Sequence, residues 1–341
     1  MEYEKNPFGS GFLYGVINPG SIYVECSACM SIYSEFLSWA NSKDGKGRFV
    51  RDPKDAKNIV VLSCQVTDLA VLSELRILEK LMLDFPDREF YVGGCLARRF
   101  DIPLPFGVKR LSNLVSNNTP INEKWMVKFS TPFWVKDFRE EDLSTRDGHL
   151  FRNMYPLRIG AGCDRNCKYC TIKDVRGKHY VLFPNIKEFL DNKNVVLISD
   201  NPTVNQVIEW CEIAEDNQRE ISFRNVEPST ACGAENSLIN ISKQGLLEFL
   251  HVPIQSTDPL VLGYMGRNEK HVSHFINEII PEMALEGTFL ATNVIIDYKD
   301  FKNPSMEYLR SKFDYVSWNP YWDGVWDRKK AEERFNKYFG G

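Results

Sequence analysis

The sequence lacks any apolar run long enough to cross a membrane. Nowhere among its 341 residues do about 18 apolar residues follow one another, as a membrane-spanning helix requires. Residues 1–7 have neither the basic start nor the apolar stretch of a secretory leader. These absences argue against secreted and membrane-spanning classes, so we expect a cytoplasmic protein with no membrane partner.

The chain also lacks an excess of positive charge. Its 42 Lys and Arg residues are outnumbered by 46 Asp and Glu residues, which gives a formal net charge of -4. Nucleic-acid-binding domains are usually basic, because bound phosphates are neutralised by Lys and Arg. The balance argues against a large nucleic-acid footprint but still allows a local basic patch. The length of 341 residues predicts two domains.

Cysteine, in contrast, is well represented, and three of the nine cysteines stand close together. Cys163, Cys167 and Cys170 form a C-x-x-x-C-x-x-C pattern. In a chain without a secretory leader, such cysteines are more often metal ligands than disulfide partners. A zinc site needs a fourth ligand, and no Cys or His follows Cys170 before His179. Three thiolates instead suit three irons of a four-iron cluster whose fourth iron stays open.

The open iron beside Tyr169 is typical of a cluster that binds and reduces S-adenosylmethionine. The ferredoxin alternative requires a fourth cysteine and prefers C-x-x-C-x-x-C spacing. The segment Cys163 to Cys170 resembles the signature of the radical S-adenosylmethionine (radical SAM) superfamily. This resemblance predicts Cys163, Cys167 and Cys170 as the catalytic cluster ligands.

Apolar runs alternate with amphipathic stretches from residue 155 onward. The predicted strands are 155–159, 194–199, 221–226, 249–254, 289–296 and 315–318, and the predicted helices include 204–214, 237–247, 272–285 and 303–312. This alternation predicts right-handed crossovers and a parallel sheet, arranged as a partial (β/α)6 barrel. Ligands of such folds bind beyond the carboxyl ends of the strands. Cys163 follows the first predicted strand, so the fold and the metal interpretation agree.

A smaller alternation precedes this barrel. Strands are predicted at 22–25, 58–63 and 89–92, with helices at 31–41 and 69–83. Cys29, Cys64 and Cys95 each follow the carboxyl end of one of these strands. Parallel strands would bring the three thiols together, whereas any one of them alone would more often be a small core residue. The pattern predicts a second metal site.

The fold class is therefore α/β, with two domains and a connecting segment. We predict a small N-terminal parallel-sheet domain at residues 1–105, a linker at 106–150, and the radical SAM barrel domain at 151–341. The linker carries prolines and a charged run, and its apolar pattern is weak.

Several segments resemble the methylthiotransferase family of radical SAM enzymes. Residues 58–66 are similar to the family's strand followed by N-T-C-x-V, and residues 91–98 to V-x-G-C-x-A-x-R. In the predicted barrel the similar motifs are Arg176-Gly177, Glu227-Pro228, H-x-P-x-Q-S at residues 251–256, and M-x-R at residues 265–267. The resemblance extends from about residue 22 to residue 321.

The resemblance implies two 4Fe-4S clusters, S-adenosylmethionine and an external electron donor. The cluster on Cys163, Cys167 and Cys170 would cleave S-adenosylmethionine to a radical that removes a substrate hydrogen. A second cluster, on Cys29, Cys64 and Cys95, would carry the sulfur through its open iron. The product would be a methylthio group at an unactivated C–H bond, with cofactors supplying the hard chemistry.

Polar residues at predicted strand ends are candidates for holding S-adenosylmethionine. They are Asn225, Glu227, Gln255 and Ser256, with Tyr169 beside the adenine. The alternative, equally weighted, is that Glu227 and Gln255 cap the helices that follow them.

The chain departs from the family pattern at four places, one of which is Lys173, where the family has a proline after the cysteine motif. The first cysteine element is shortened, so Cys29 is the predicted ligand and Cys26 the alternative. After Ile296 the chain has Asp297-Tyr298-Lys299 where the family has a G-F-P-G-E loop. We also expect no C-terminal RNA-binding (TRAM) domain, since few residues follow the last predicted strand.

Known family members modify either an aspartate of a small-subunit ribosomal protein or a transfer RNA adenosine. The acidic charge balance favours the ribosomal protein as partner, with transfer RNA as the alternative. Two further classes stay open: another radical SAM enzyme with an auxiliary electron-transfer cluster, and a non-catalytic binding protein.

Overall fold

The computed structural model describes residues 17–26, 31–32, 48–111, 154–182, 186–284 and 287–340. The chain forms two compact units, one made of Met1–Arg152 with Gly324–Gly341 and the other of Asn153–Asp323. Most of the predicted helix at 31–41 and of the predicted linker at 106–150 lies outside the described residues. Both therefore stay predictions.

The first unit contains a parallel sheet, which has four strands in the described part of the chain. Their spatial order follows the sequence: β1 (Ile22–Cys26), β2 (Asn58–Ser63), β3 (Glu89–Gly94) and β4 (Lys109–Arg110). Helix α1 (Asp68–Asp84) connects β2 to β3, and 3-10 turns lie at Pro53–Asp55 and Leu96–Arg98. Every residue of β2 is buried, as the continuous apolar run of a parallel strand covered on both faces requires.

The second unit is an open parallel sheet surrounded by helices. Its strands are β5 (Tyr155–Arg158), β8 (Val195–Ile198), β9 (Ile221–Arg224), β10 (Leu247–His251), β11 (Phe289–Ile296) and β12 (Tyr315–Pro320), which lie side by side in chain order. Two short strands, β6 (Gly160–Ala161) and β7 (Tyr180–Val181), form a separate antiparallel ribbon. The six parallel strands, counted over the described residues, confirm the predicted fold class.

Short helices connect these strands. They are α2 (Ile172–Arg176), α3 (Ile186–Asp191), α4 (Val204–Asp216), α5 (Pro228–Gly233), α6 (Glu235–Lys243), α7 (Pro259–Met265), α8 (Glu269–His274), α9 (Ile280–Ala284) and α10 (Met306–Arg310), with a π-helical turn at Phe275–Ile279 between α8 and α9. The predicted helix at 237–247 was too long, because Gly245 adopts a φ of +70° and ends it. The following strand consequently begins at Leu247, two residues earlier than predicted.

Helix α11 (Arg328–Phe339) belongs to the first unit, which corrects the predicted assignment of residues 324–341 to the barrel domain. The helix packs on α1. Arg328 forms an ion pair with Glu79 at 2.6 Å and Arg334 one with Asp68 at 2.7 Å. The guanidinium of Arg76 lies over the Phe335 ring, 4.6 Å from its centre. Local periodicity does not reveal which of two domains such a helix packs against.

No helix in the described ranges combines the length and the apolar character that crossing a membrane requires.

Arg334→Ala is expected to destabilise the first unit by about 1–3 kcal/mol, less than for a fully buried pair, because Asp68 would lose its cation. Burial raises the pKa of Asp68, and Arg334 opposes this rise. Because the pKa of Asp68 is raised, the folded protein binds a proton there more tightly, and the protonated carboxyl no longer needs the cation. The loss of stability caused by Arg334→Ala should therefore be smaller at about pH 4 than at about pH 7. Urea unfolding at the two pH values measures it.

Lys329→Ala is the matched control, since this side chain is 88% exposed and lies 4.0 Å from Glu333. It should change stability at neither pH. An Arg334→Ala loss that is the same at both pH values would contradict the role assigned to Asp68.

Candidate functional site

Residues 162–170, which we call the cysteine loop, begin directly after β6. The first turn of this loop requires glycine. Gly162 has a φ of +75°, and a Cβ atom there would lie 2.1 Å from the carbonyl oxygen of Lys178. The N–H of Gly162 donates to Asp200 at 2.9 Å, and that of Cys163 to the carbonyl of Gly177 at 3.0 Å. The loop is thus fastened on both sides of its first cysteine.

Asp200, which follows β8, carries a second contact. Its carboxylate accepts from Nε of the buried Arg176 at 2.5 Å. The carboxylate therefore connects the start of the cysteine loop to the end of α2.

The three thiols of the loop lie near one another. Cys163 and Cys167 are half-buried, whereas Cys170 is exposed. Burial raises the pKa of the Cys163 thiol, while the N–H of Arg165, which points at its sulfur over 3.4 Å, opposes the rise. Desolvation of the Cys170 sulfur raises the pKa of that thiol to about 12, and the nearby thiols of Cys167 and Cys163 add to the rise. Among the described residues no three His, Cys, Asp or Glu groups are close enough to share one metal ion. Ligands of a four-iron cluster bind separate irons and are spaced more widely.

Tyr169 and Glu227 meet through Arg267. The guanidinium of Arg267 donates from Nε to the Tyr169 hydroxyl at 2.8 Å and from Nη2 to the Glu227 carboxylate. Arg165 reaches the other carboxylate oxygen at 3.6 Å and donates to Ser229 at 2.7 Å. Glu227 stands at the N-cap position of α5, but its side chain makes no cap hydrogen bond. The capping alternative therefore does not describe the Glu227 carboxylate.

Asn225 and Gln255 belong to a second polar group, which His251 and Asn293 complete. The N–H of Asn225 donates to His251 Nδ1 at 3.3 Å, and Asn293 donates to the Gln255 side-chain oxygen at 3.1 Å. Burial lowers the pKa of His251 to about 3, with Arg224 adding to the effect and an Asn293 hydrogen bond opposing it. His251 is therefore neutral, and because Nδ1 accepts, its proton is on Nε2.

The backbone is unusual at the same strand ends. Asn225 after β9, Gln255 after β10 and Asp297 after β11 have φ values of +64°, +68° and +51°. This conformation costs a residue other than glycine about 1–3 kcal/mol and is common at ligand sites. Ser256, the remaining predicted cofactor contact, is buried, and its hydroxyl accepts from the Asp258 N–H at 3.1 Å. That hydroxyl supports the turn before α7.

Sequence reasoning overlooked part of this site. The sequence patterns pointed to Arg267 only through the M-x-R motif and did not point to Arg165 or Asn293. Signals did exist: Arg165 lies between two cysteines, and Asn293 interrupts the apolar strand β11.

In the first unit, Cys64 and Cys95 directly follow the carboxyl ends of the neighbouring strands β2 and β3. Ser63 and Gly94, the residues before them, are register partners in β2 and β3. The N–H of Cys95 donates to the Ser63 carbonyl at 3.1 Å, and that of Cys64 to the carboxylate of the buried Glu74 at 3.2 Å. The predicted juxtaposition of these two cysteines is present.

The third member of this set, Cys29, lies outside the described residues. The alternative, Cys26, is the last residue of β1 and pairs in register with Leu62, two residues before Cys64. The backbone of Cys26 is therefore level with a residue inside β2, whereas Cys64 and Cys95 follow the carboxyl ends of their strands. Cys29 stays the prediction.

No family model matches the chain. It is, however, 22% identical to the ribosomal protein uS12 methylthiotransferase RimO of Carboxydothermus hydrogenoformans, over 84% of this chain and 74% of that protein. It is 22% identical to the tRNA-2-methylthio-N(6)-dimethylallyladenosine synthase of Natranaerobius thermophilus, over 76% of this chain and 65% of that enzyme. For the enzyme of the same name from Staphylococcus epidermidis the values are 24%, 78% and 57%. The chain is thus similar, at 22–24% identity, to enzymes that attach methylthio groups to a ribosomal protein or to transfer RNA.

Solved structures support the same fold. The radical S-adenosylmethionine methyltransferase TsrM from Kitasatospora setae, bound to tryptophan and a SAM analogue, superimposes with a TM-score of 0.51 at 9% identity, covering 87% of this chain and 70% of that chain. The same enzyme with cobalamin and a [4Fe-4S] cluster gives a TM-score of 0.50 at 10% identity, over 89% and 75%. At these identities the likeness concerns the fold alone.

Gly162→Ala is expected to disrupt the cysteine loop. A positive φ alone costs a residue other than glycine about 1–3 kcal/mol. The free energy of unfolding should fall by more than this, because the added Cβ also collides with the Lys178 carbonyl. Thermal unfolding and iron content after anaerobic reconstitution measure the effect. Gly263→Ala is the control, because its Cβ would point into open space within α7. Equal iron content and midpoints in both variants would refute the requirement.

Proposed function

We propose that the chain is a radical SAM methylthiotransferase that uses two 4Fe-4S clusters and S-adenosylmethionine. The observation that carries the proposal is the position of the cysteine loop: it follows the first barrel strand and joins the Tyr169, Arg267 and Glu227 group at the strand ends. Homology to methylthiotransferases of both substrate classes supports the reaction type.

The cysteine loop suits a 4Fe-4S cluster. Its donor set is three thiols, and the N–H of Arg165 points at the sulfur of Cys163. Such N–H to sulfur bonds stabilise thiolate charge and tune cluster potentials. When bound, the cluster and S-adenosylmethionine supply the electron and the radical for attack on an unactivated C–H bond.

The polar strand ends are assigned to binding and orientation. Glu227, Asn225 and Gln255 would face the amino and hydroxyl groups of S-adenosylmethionine, with the aromatic ring of Tyr169 against its adenine. The neutral His251 keeps the Asn225 backbone in place through its Nδ1. Arg267 holds Glu227 and Tyr169 together, so the role of each depends on the other.

Cys64, Cys95 and Cys29 are assigned to the second cluster, which would carry the sulfur for transfer. Cys64 and Cys95 are neighbours at the sheet edge, and Glu74 orients the backbone of Cys64. Arg110 organises the turn after Cys95, because its guanidinium donates to the carbonyls of Leu96 and Arg99 at 2.9 and 3.0 Å.

The substrate we favour is an aspartate of a small-subunit ribosomal protein. The net charge of -4 provides little phosphate affinity, since each phosphate contact needs a Lys or Arg. RimO, one of the relatives, acts on ribosomal protein uS12.

Reconstituted protein should hold about eight irons per chain in two clusters. The triple variant of Cys163, Cys167 and Cys170 to Ala should lose about half of them and form no 5'-deoxyadenosine. The corresponding variant of Cys29, Cys64 and Cys95 should lose the other half and still cleave some S-adenosylmethionine. Iron analysis and product chromatography measure both.

Cys26→Ala is the matched control for Cys29→Ala in a background that lacks the barrel cysteines. Loss of iron in Cys29→Ala alone supports the assignment, and loss in Cys26→Ala alone reverses it. If the N-terminal triple variant keeps all its iron, the second cluster does not exist.

Substrate choice is tested by offering the ribosomal protein and unmodified transfer RNA together, anaerobically, with S-adenosylmethionine, reductant and sulfide. Mass spectrometry should find a gain of about 46 mass units, a methylthio group replacing hydrogen, on the protein. The same gain on transfer RNA alone would overturn the substrate proposal and leave the reaction type standing. S-adenosylmethionine cleavage with neither product would favour a radical SAM enzyme of another kind.

A further inference from the structure

Arg267 binds three segments of the barrel unit at once. It is only 8% exposed. Its Nε donates to the Tyr169 hydroxyl in the cysteine loop at 2.8 Å, Nη1 to the Pro253 carbonyl after β10 at 2.7 Å, and Nη2 to Glu227 after β9. A planar guanidinium can satisfy three such partners together, whereas a lysine ammonium lacks this geometry.

The two residues before Arg267 also contact the loop. The Met265 carbonyl accepts from the Lys168 N–H at 3.2 Å. Gly266 has a φ of +77°, and a Cβ atom there would lie 3.4 Å from the Asn166 carbonyl oxygen. The segment Met265 to Arg267 therefore holds the cysteine loop by its backbone and by the Tyr169 side chain.

Arg267 also places a fixed positive charge beside the thiols. Burial lowers the pKa of Arg267, but Tyr169, Glu227 and Cys167 together raise it above its ordinary value, so the group stays charged. Its charge is felt at Cys167 and at Cys170. Glu227 offsets one positive charge, but Arg165 is a second one at the same carboxylate, so the three groups together carry +1.

We infer that Arg267 is the positioning residue of the cysteine loop, and that its charge favours extra negative charge on whatever the three thiols bind. The first half concerns the chain alone. The second rests on the proposed function, and states that Arg267 raises the reduction potential of the cluster held by Cys163, Cys167 and Cys170.

The positioning role is tested on metal-free protein by amide hydrogen exchange of residues 166–170. Arg267→Gln should speed exchange at Lys168 and Cys170 about tenfold, the effect of losing a charge-assisted hydrogen bond. Tyr169→Phe removes only one contact of Arg267 and should give a smaller acceleration without unfolding. Arg219→Gln is the control. Arg219, which precedes β9, also donates from its guanidinium to a backbone carbonyl, that of Asn192 at 2.5 Å, so the same change removes a similar hydrogen bond elsewhere in the unit. Unchanged exchange in both Arg267→Gln and Tyr169→Phe would overturn the role.

The charge role is tested by a redox titration, followed by electron paramagnetic resonance, of full-length protein reconstituted with iron and sulfide. Cys64→Ala and Cys95→Ala remove the second cluster's signal. The midpoint potential should fall in Arg267→Gln and be retained in Arg267→Lys, which keeps the charge without the planar contacts. Equal potentials in Arg267→Gln and the parent would overturn this half. Failure of the parent to form a cluster on the barrel cysteines would refute the proposed function, while hydrogen exchange would still decide the positioning role.

Discussion

The buried ion pair between Arg267 and Glu227 is the interaction on which the barrel site depends. Glu227 follows β9, Arg267 follows α7, and Tyr169 of the cysteine loop joins them through its hydroxyl. Burying two charges is costly unless their geometry is good and their other hydrogen-bonding atoms are satisfied. Here the Tyr169 hydroxyl and the Pro253 carbonyl accept the other Arg267 N–H groups, and Arg165 forms a second ion pair with the Glu227 carboxylate. The pair consequently fixes three loops relative to one another.

The neighbouring strand ends work by a different means. His251 is neutral and accepts the N–H of Asn225, while Asn293 supports Gln255. Asn225 and Gln255 are both held in the left-handed backbone region. Such a conformation persists only where surrounding contacts impose it. Uncharged hydrogen bonds from His251 and Asn293 thus hold the strained backbone of Asn225 and Gln255 in position. The other part of the site is held by the ion pair of Arg267 and Glu227.

Much of this could be predicted from local pattern. The alternation of strands and helices predicted two parallel sheets, because both periodicities are short-range properties of the chain. The carboxyl-end rule predicted that Cys64 and Cys95 follow neighbouring strand ends, and the residues before them, Ser63 and Gly94, are register partners. Helix α11 and the lengths of α6 and β10 were predicted wrongly or not at all. Their positions depend on a partner helix and on a single glycine, Gly245, rather than on periodicity.

The sequence by itself determined the cysteine pattern, the alternation of strands and helices of a parallel α/β fold, and the family resemblance, since each is carried by residues close together along the chain. Only the tertiary structure decided that Glu227 faces Arg267 instead of capping α5, and that Ser256 supports a turn. It alone joined Arg165 and Arg267, about a hundred residues apart in the chain, at one carboxylate. The physical reason is that a side chain contacts whatever the fold places beside it at the carboxyl ends of the strands. The number of residues between two side chains in the sequence does not reveal how far apart they lie in space.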